Sequence, residues 1–143
     1  MKNNKIIFLY GLGERKEYKN LFNNFIVPKI DWNKCTVTPK IGNVDTLVSF
    51  SLGALFACQH TEKHKVKTLI LCSITPGAET LENVKAGKVI FLAGKKEKWV
   101  IKEIKRVAKT LRCDWQIHII PKAIHKITGN YRKKLLEIVN NAN

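Results

Sequence analysis

The sequence predicts an α/β protein: a three-layer sandwich on a mainly parallel sheet of about six strands, forming a single domain over residues 1–143. Three observations carry that expectation. Short apolar runs alternate with amphipathic ones along the whole chain. Several of those runs, Ile6-Ile7-Phe8-Leu9, Leu69-Ile70-Leu71 and Val89-Ile90-Phe91-Leu92, are continuously apolar, the pattern of strands buried on both faces. The connections are short and carry no low-complexity linker or repeat, which suits strands joined through helices into a parallel sheet.

The first strand is expected over residues 5–10, ending in Gly11-Leu12-Gly13, and a helix over 16–25. A short strand over 35–38 is followed by only residues 39–45 before the next strand at 46–50, so no helix fits between them. A helix-like run over 52–64 follows with almost no loop. Strands are then expected over 68–72 and 88–93, with Pro76-Gly77 and Gly94 marking turns. In the helix expected over 98–111, Val100, Ile101, Ile104, Val107, Ala108 and Leu111 share one face, and Lys102, Glu103, Lys105, Arg106 and Lys109 the other. A last strand over 116–120 and a last helix over 126–139, with Tyr131, Leu135, Ile138 and Val139 inward, complete the pattern.

Composition narrows the function classes. No stretch approaches the roughly 18 apolar residues of a membrane span, and the short apolar start runs into Gly11–Arg15 without a cleavage site, so a cytoplasmic protein with no membrane partner is expected. Cys35, Cys58, Cys72 and Cys113 are widely spaced and form no Cys-x-x-Cys pair, which suits reduced thiols rather than a zinc site. Neither a metal nor a cofactor is expected. The net charge of +15 suits an anionic partner. However, the lysines are scattered from end to end without interleaved aromatics, which disfavours nucleic acid.

In an open parallel sheet, function gathers at the carboxyl ends of the strands. There, Ser51 in Leu47-Val-Ser-Phe-Ser-Leu-Gly-Ala54 stands between strand and helix with small residues at Ser49, Gly53 and Ala54. Such a junction presents a hydroxyl at a turn too sharp for larger neighbours. The alternative is an ordinary helix-capping serine. A serine nucleophile needs a histidine base. His118 lies within a strand, and His60 and His64 lie on a helix. His125 follows the last strand at the carboxyl edge. The histidine in turn needs a carboxylate. Glu97, after the 88–93 strand, is the first candidate, with Glu79 and Glu82 in reserve, whereas Asp45 and Asp114 precede strands. The backbone N–H groups of Leu52 and Leu12 are candidate oxyanion donors, because Gly11 and Gly13 let the first loop come close.

The order Ser51…Glu97…His125, each after its own strand and downstream of a glycine turn, resembles the α/β-hydrolase family over nearly the whole chain. Tyr10-Gly11-Leu12-Gly13 is similar to the family's His-Gly oxyanion turn, and Ser49-Phe50-Ser51-Leu52-Gly53 to Gly-x-Ser-x-Gly. The resemblance implies a minimal α/β-hydrolase fold without a cap domain. It casts Ser51 as nucleophile, His125 as base and acid, Glu97 as orienting acid, and Leu12 and Leu52 as oxyanion donors. Tyr10, Ser49 and Glu97 stand where the family more often has His, Gly and Asp.

Two functions follow from different classes. One is a serine esterase or thioesterase working through an acyl-enzyme on a small-molecule or carrier-bound acyl substrate, the charge favouring an acidic carrier protein. The other is a non-catalytic, hydrolase-like basic module that binds nucleic acid or acidic protein. Dinucleotide binding, suggested by Gly11-Leu12-Gly13 and Asp31, fails because Lys16 occupies the third glycine position and Pro28 interrupts the second strand.

Overall fold

The computed structural model describes residues 5–20, 24–74 and 81–142. In chain order the elements are β1 (Ile6–Leu9), α1 (Arg15–Lys19), β2 (Lys29–Asp31), β3 (Thr36–Thr38) and β4 (Thr46–Phe50). A 3-10 turn (Ser51–Gly53) leads into α2 (Ala54–Lys63), followed by β5 (Val66–Cys72), β6 (Ala86–Gly94), α3 (Lys98–Ala108), β7 (Asp114–Ile120) and α4 (Gly129–Ala142).

Five strands form one parallel sheet in the order β1-β4-β5-β6-β7. A single row across it reads Phe8, Val48, Ile70, Ile90, Gln116. Its first four members are buried and Gln116, on the edge strand, is exposed. Sequence neighbours point to opposite faces of a strand, so full burial of both Leu47 and Val48, and of both Leu71 and Cys72, means that both faces are covered. Helix α2 packs on β1, β4 and β5, α3 on β6, and α4 on β6 and β7. Each buried Leu, Ile, Val or Phe side chain contributes about 1.5–3 kcal/mol, so the continuous apolar runs drive the assembly.

The sheet has five strands rather than about six. The 35–38 candidate, β3, instead pairs antiparallel with β2 in a separate hairpin, Ile30 opposite Val37. Thr36 and Thr38 flank a single apolar Val37, so this segment cannot fill a place buried on both faces. β2 begins just after Pro28, where the missing N–H costs no ladder bond. Its turn is held by Asp31 Oδ1, which accepts from the N–H groups of Asn33 and Lys34.

The first helix is shorter than the expected 16–25. Phe25 and Ile26 are not helical, and Ile26 bridges in parallel to Ile7 through its N–H to the Ile6 carbonyl and its carbonyl to the Phe8 N–H. The last helix starts at Gly129 rather than 126, after a loop tied by Lys126 N–H to the Ile124 carbonyl. No helix occupies residues 39–45, as expected. Among the described residues no inserted domain covers the carboxyl edge, and no helix is long and apolar enough to cross a membrane.

Candidate active site

Ser51 leaves β4 with φ 55°, in the left-handed region. A non-glycine residue held there stores about 1–3 kcal/mol of strain. The turn is tight because α2 begins against the end of β1. A Cβ on Gly53 would lie 2.2 Å from the Leu9 carbonyl oxygen, so only glycine fits two residues after the serine. Ser49, two residues before it, is fully buried, and its hydroxyl finds no partner among the described residues.

The loop after β7 carries His125 to this serine. His125 Nε2 lies 2.9 Å from Ser51 Oγ, and Nδ1 lies 2.6 Å from Glu97 Oε2. With Nδ1–H donated to the carboxylate, Nε2 is left to accept the serine proton. Phe50 supports the imidazole, with ring centroids 5.0 Å apart. The loops bearing Glu97 and His125 touch through Gly94, where a Cβ would lie 2.3 Å from the Ala123 carbonyl oxygen.

Glu97 occupies the N-cap position of α3, but its carboxylate makes no cap bond to that helix. It turns inward, buried, to serve three donors: Oε2 takes His125, and Oε1 accepts from Ser73 Oγ at 2.7 Å and from the Gly94 N–H at 2.9 Å. Burial pushes its pKa up. The hydrogen bonds from His125, Ser73 and Gly94 outweigh burial and hold it below the usual 4.5.

Behind Glu97, Ser73 is fully buried at φ 47°, and Tyr131 OH lies 2.7 Å from its Oγ. Because Ser73 donates its proton to Glu97, the phenol is the donor in that second bond. Burial raises the Tyr131 pKa well above its usual value, keeping the phenol protonated for the purpose. The hydrogen-bonded series therefore runs Tyr131, Ser73, Glu97, His125, Ser51, from α4 through the carboxyl ends of β5 and β6 to the exit of β4.

On the other side of the serine, a Cβ on Gly11 would lie 3.1 Å from both the Leu52 backbone nitrogen and Ser51 Cβ, so the first loop is pressed against the elbow. The β2–β3 hairpin holds it there: Trp32 Nε1 donates to the Gly11 carbonyl at 2.9 Å. Tyr10 fixes the same hairpin to β1, its hydroxyl accepting from the Ile30 N–H at 2.8 Å. Leu12, Glu17, Tyr18, Phe50, Ser51, Leu52, His125, Lys126, Ile127 and Thr128 line a cleft of about 610 Å³.

Ser51, Glu97 and His125 thus meet, and Leu12 and Leu52 lie beside the serine. Glu79 falls outside the described residues, and Glu82 lies exposed just before β6, at the amino edge. His118 is half-buried on β7, and His60 on α2 stacks with His64 just past that helix, away from the cleft lining. Ser73, Tyr131 and Trp32 have no assigned role in the sequence reading. Ser73 directly follows a strand at the carboxyl edge, the same signal that singled out Glu97. Tyr131 reads in sequence only as an inward residue of the last helix.

No family model and no curated protein sequence matches this chain. Solved structures resemble it over nearly its whole length, two esterases among them. The crystal structure of esterase PE8 superposes with a TM-score of 0.64 at 16% identity, covering 99% of this chain and 93% of that one. The Bacillus cereus carboxylesterase gives a TM-score of 0.60 at 14% identity, covering 97% and 88%. At such identities the likeness speaks to the fold alone.

Proposed function

We propose that this protein, whose fold is that of the esterase-like α/β-hydrolases, is a serine hydrolase that cleaves carboxylic esters or thioesters through an acyl-enzyme. One observation carries the reading: Ser51 Oγ, on a strained turn, lies 2.9 Å from His125 Nε2, whose other nitrogen lies 2.6 Å from a buried carboxylate. His125 Nε2 takes the proton as Ser51 Oγ attacks the acyl carbon. Glu97 stabilises the imidazolium through Nδ1–H. The N–H groups of Leu52 and Leu12 receive the negative charge that develops on the carbonyl oxygen. Collapse of the tetrahedral species breaks the bond to the leaving oxygen or sulfur, which takes the proton from Nε2. Water, activated by the same nitrogen, then releases the acid.

The cleft supports a short acyl group against Phe50, Tyr18 and Ile127. Its open mouth and the net charge of +15 favour an ester presented by an anionic body, an acidic carrier protein being one such presenter. The test is a fluorophosphonate probe. The wild type is expected to be labelled and Ser51→Ala not; equal labelling of both overturns the proposal. A protein inert to the probe that binds nucleic acid with a steep salt dependence would be the non-catalytic basic module instead.

A further inference from the structure

Some of the lysines that look scattered in sequence come together in the two loops that carry Glu97 and His125, at the carboxyl edge of the sheet. Residues 94–98 and 121–126 are interlocked: Lys95 N–H donates to the Ile120 carbonyl and Lys96 N–H to the Ala123 carbonyl. Five of these eleven residues are lysine, namely Lys95, Lys96, Lys98, Lys122 and Lys126, in a chain with 26 basic residues among 143. All five are exposed, and none forms an ion pair among the described residues. The one acid in the two segments, Glu97, is buried and committed to the site.

The same edge bears the three most exposed large apolar residues among those described: Leu12 at 73%, Trp99 at 59% and Ile124 at 52%. Leu12 lies on the cleft wall, Trp99 in the first turn of α3, and Ile124 beside His125. They come from three separate segments: Trp99 adjoins Lys98 and Ile124 stands between Lys122 and Lys126, whereas Leu12 is followed by the exposed Glu14 and Glu17.

Against the expectation of no membrane partner, which rested on the lack of a spanning segment, we propose that this carboxyl edge docks on an anionic lipid surface, delivering an ester held in that interface directly to Ser51. Lysine is depleted at protein–protein interfaces. Trp, Leu and Ile tips among lysines are what an interface of anionic headgroups over hydrocarbon accepts, the tips entering and the lysine stems reaching back to the charge. A nucleic-acid surface would call for aromatic stacking platforms among the lysines, and Leu12 and Ile124 offer none. The choice of substrate rests on the serine-hydrolase reading; the docking does not.

The experiment is sedimentation of the full chain with vesicles of phosphatidylcholine, with and without phosphatidylglycerol. Binding is expected only to the vesicles containing phosphatidylglycerol, and salt is expected to weaken it. Each lysine near such a surface is worth about fivefold in partitioning. The triple variant Lys95→Gln, Lys96→Gln, Lys122→Gln should therefore bind on the order of 100-fold more weakly. Trp99→Ser should weaken binding further without any change of charge. The control triple Lys63→Gln, Lys65→Gln, Lys85→Gln at the amino edge should cost far less. Turnover of a dissolved short-chain ester should match the wild type in every variant.

The inference is overturned if no vesicle binds, if the amino-edge triple costs as much as the carboxyl-edge triple, or if Trp99→Ser binds like the wild type. Retention on immobilised polyglutamate without vesicle binding also overturns it, in favour of an acidic protein. Vesicle binding by a wild type that turns over no dissolved ester would support the docking surface and remove only the hydrolase reading.

Discussion

A hydroxyl becomes a nucleophile only where a base can reach it, and at Ser51 that reach is set by a few atoms. Replacing Ser51 or His125 with alanine should lower kcat on a dissolved ester by on the order of 10⁴-fold or more. Glu97→Gln keeps the size but loses the charge that fixes the imidazole, and should cost on the order of 10³–10⁴-fold. Ser73→Ala tests the positioning bond to Oε1. It leaves His125 in place but loosens the carboxylate, so kcat should fall by on the order of tenfold with KM unchanged. Steady-state kinetics on a soluble ester reads all four. Ser49 gives the opposite sign. Its hydroxyl is buried without a partner among the described residues, so Ser49→Ala should raise the unfolding free energy by about 1 kcal/mol in urea titration. In sequence Ser51, Glu97 and His125 were legible because each comes after its own strand, at the carboxyl edge. Tyr131 was not, because a phenol on the inward stripe of a helix looks like any core aromatic until its partner is in place.

Among the elements, the β2–β3 hairpin and the close glycine contacts at Gly11, Gly53 and Gly94 do the positioning. Trp32→Phe removes the indole bond to the Gly11 carbonyl while keeping most of the packing against Phe56, whose ring centroid lies 5.1 Å away. The freed loop carries the expected oxyanion donor, so turnover should fall by about tenfold while the melting temperature drops by only a few degrees. Gly94→Ala forces apart the loops that bear Glu97 and His125. A displacement of about 1 Å there should cost on the order of 100-fold in kcat. Circular dichroism, run beside the assay, separates that loss from unfolding. The central strands were plain in sequence because a run such as Leu69-Ile70-Leu71 has nowhere to go but a two-sided core. The hairpin was missed because Pro28 looked like a break and Thr36-Val37-Thr38 like a member of the main sheet. Only its pairing, which depends on residues on both sides of the Asp31 turn, shows otherwise.

At the scale of the whole molecule, the buried Glu97 links stability to pH. Its folded pKa is held below 4.5, so between that lowered value and 4.5 the unfolded chain binds more protons and stability falls as pH falls. Urea unfolding followed from neutral pH downward should show this loss below about pH 4.5, at the upper end of the ordinary carboxylate range. Glu97→Gln should flatten that part of the profile; an unchanged profile would mean that Glu97 is not held in its charged form by the fold. By itself, the sequence determined that this is an α/β chain with a parallel sheet. It also determined that Ser51, Glu97 and His125 stand at the sheet's carboxyl edge. Both follow from local periodicity and chain order, because a continuous apolar run must be buried and whatever follows it must emerge at one edge. Only the tertiary structure decided which buried groups hold Glu97, which hairpin holds the Gly11 loop, and that five lysines and three exposed apolar side chains lie along the carboxyl edge that carries the site. Those neighbours are far apart along the chain, and their proximity is fixed by the order of strands in the sheet.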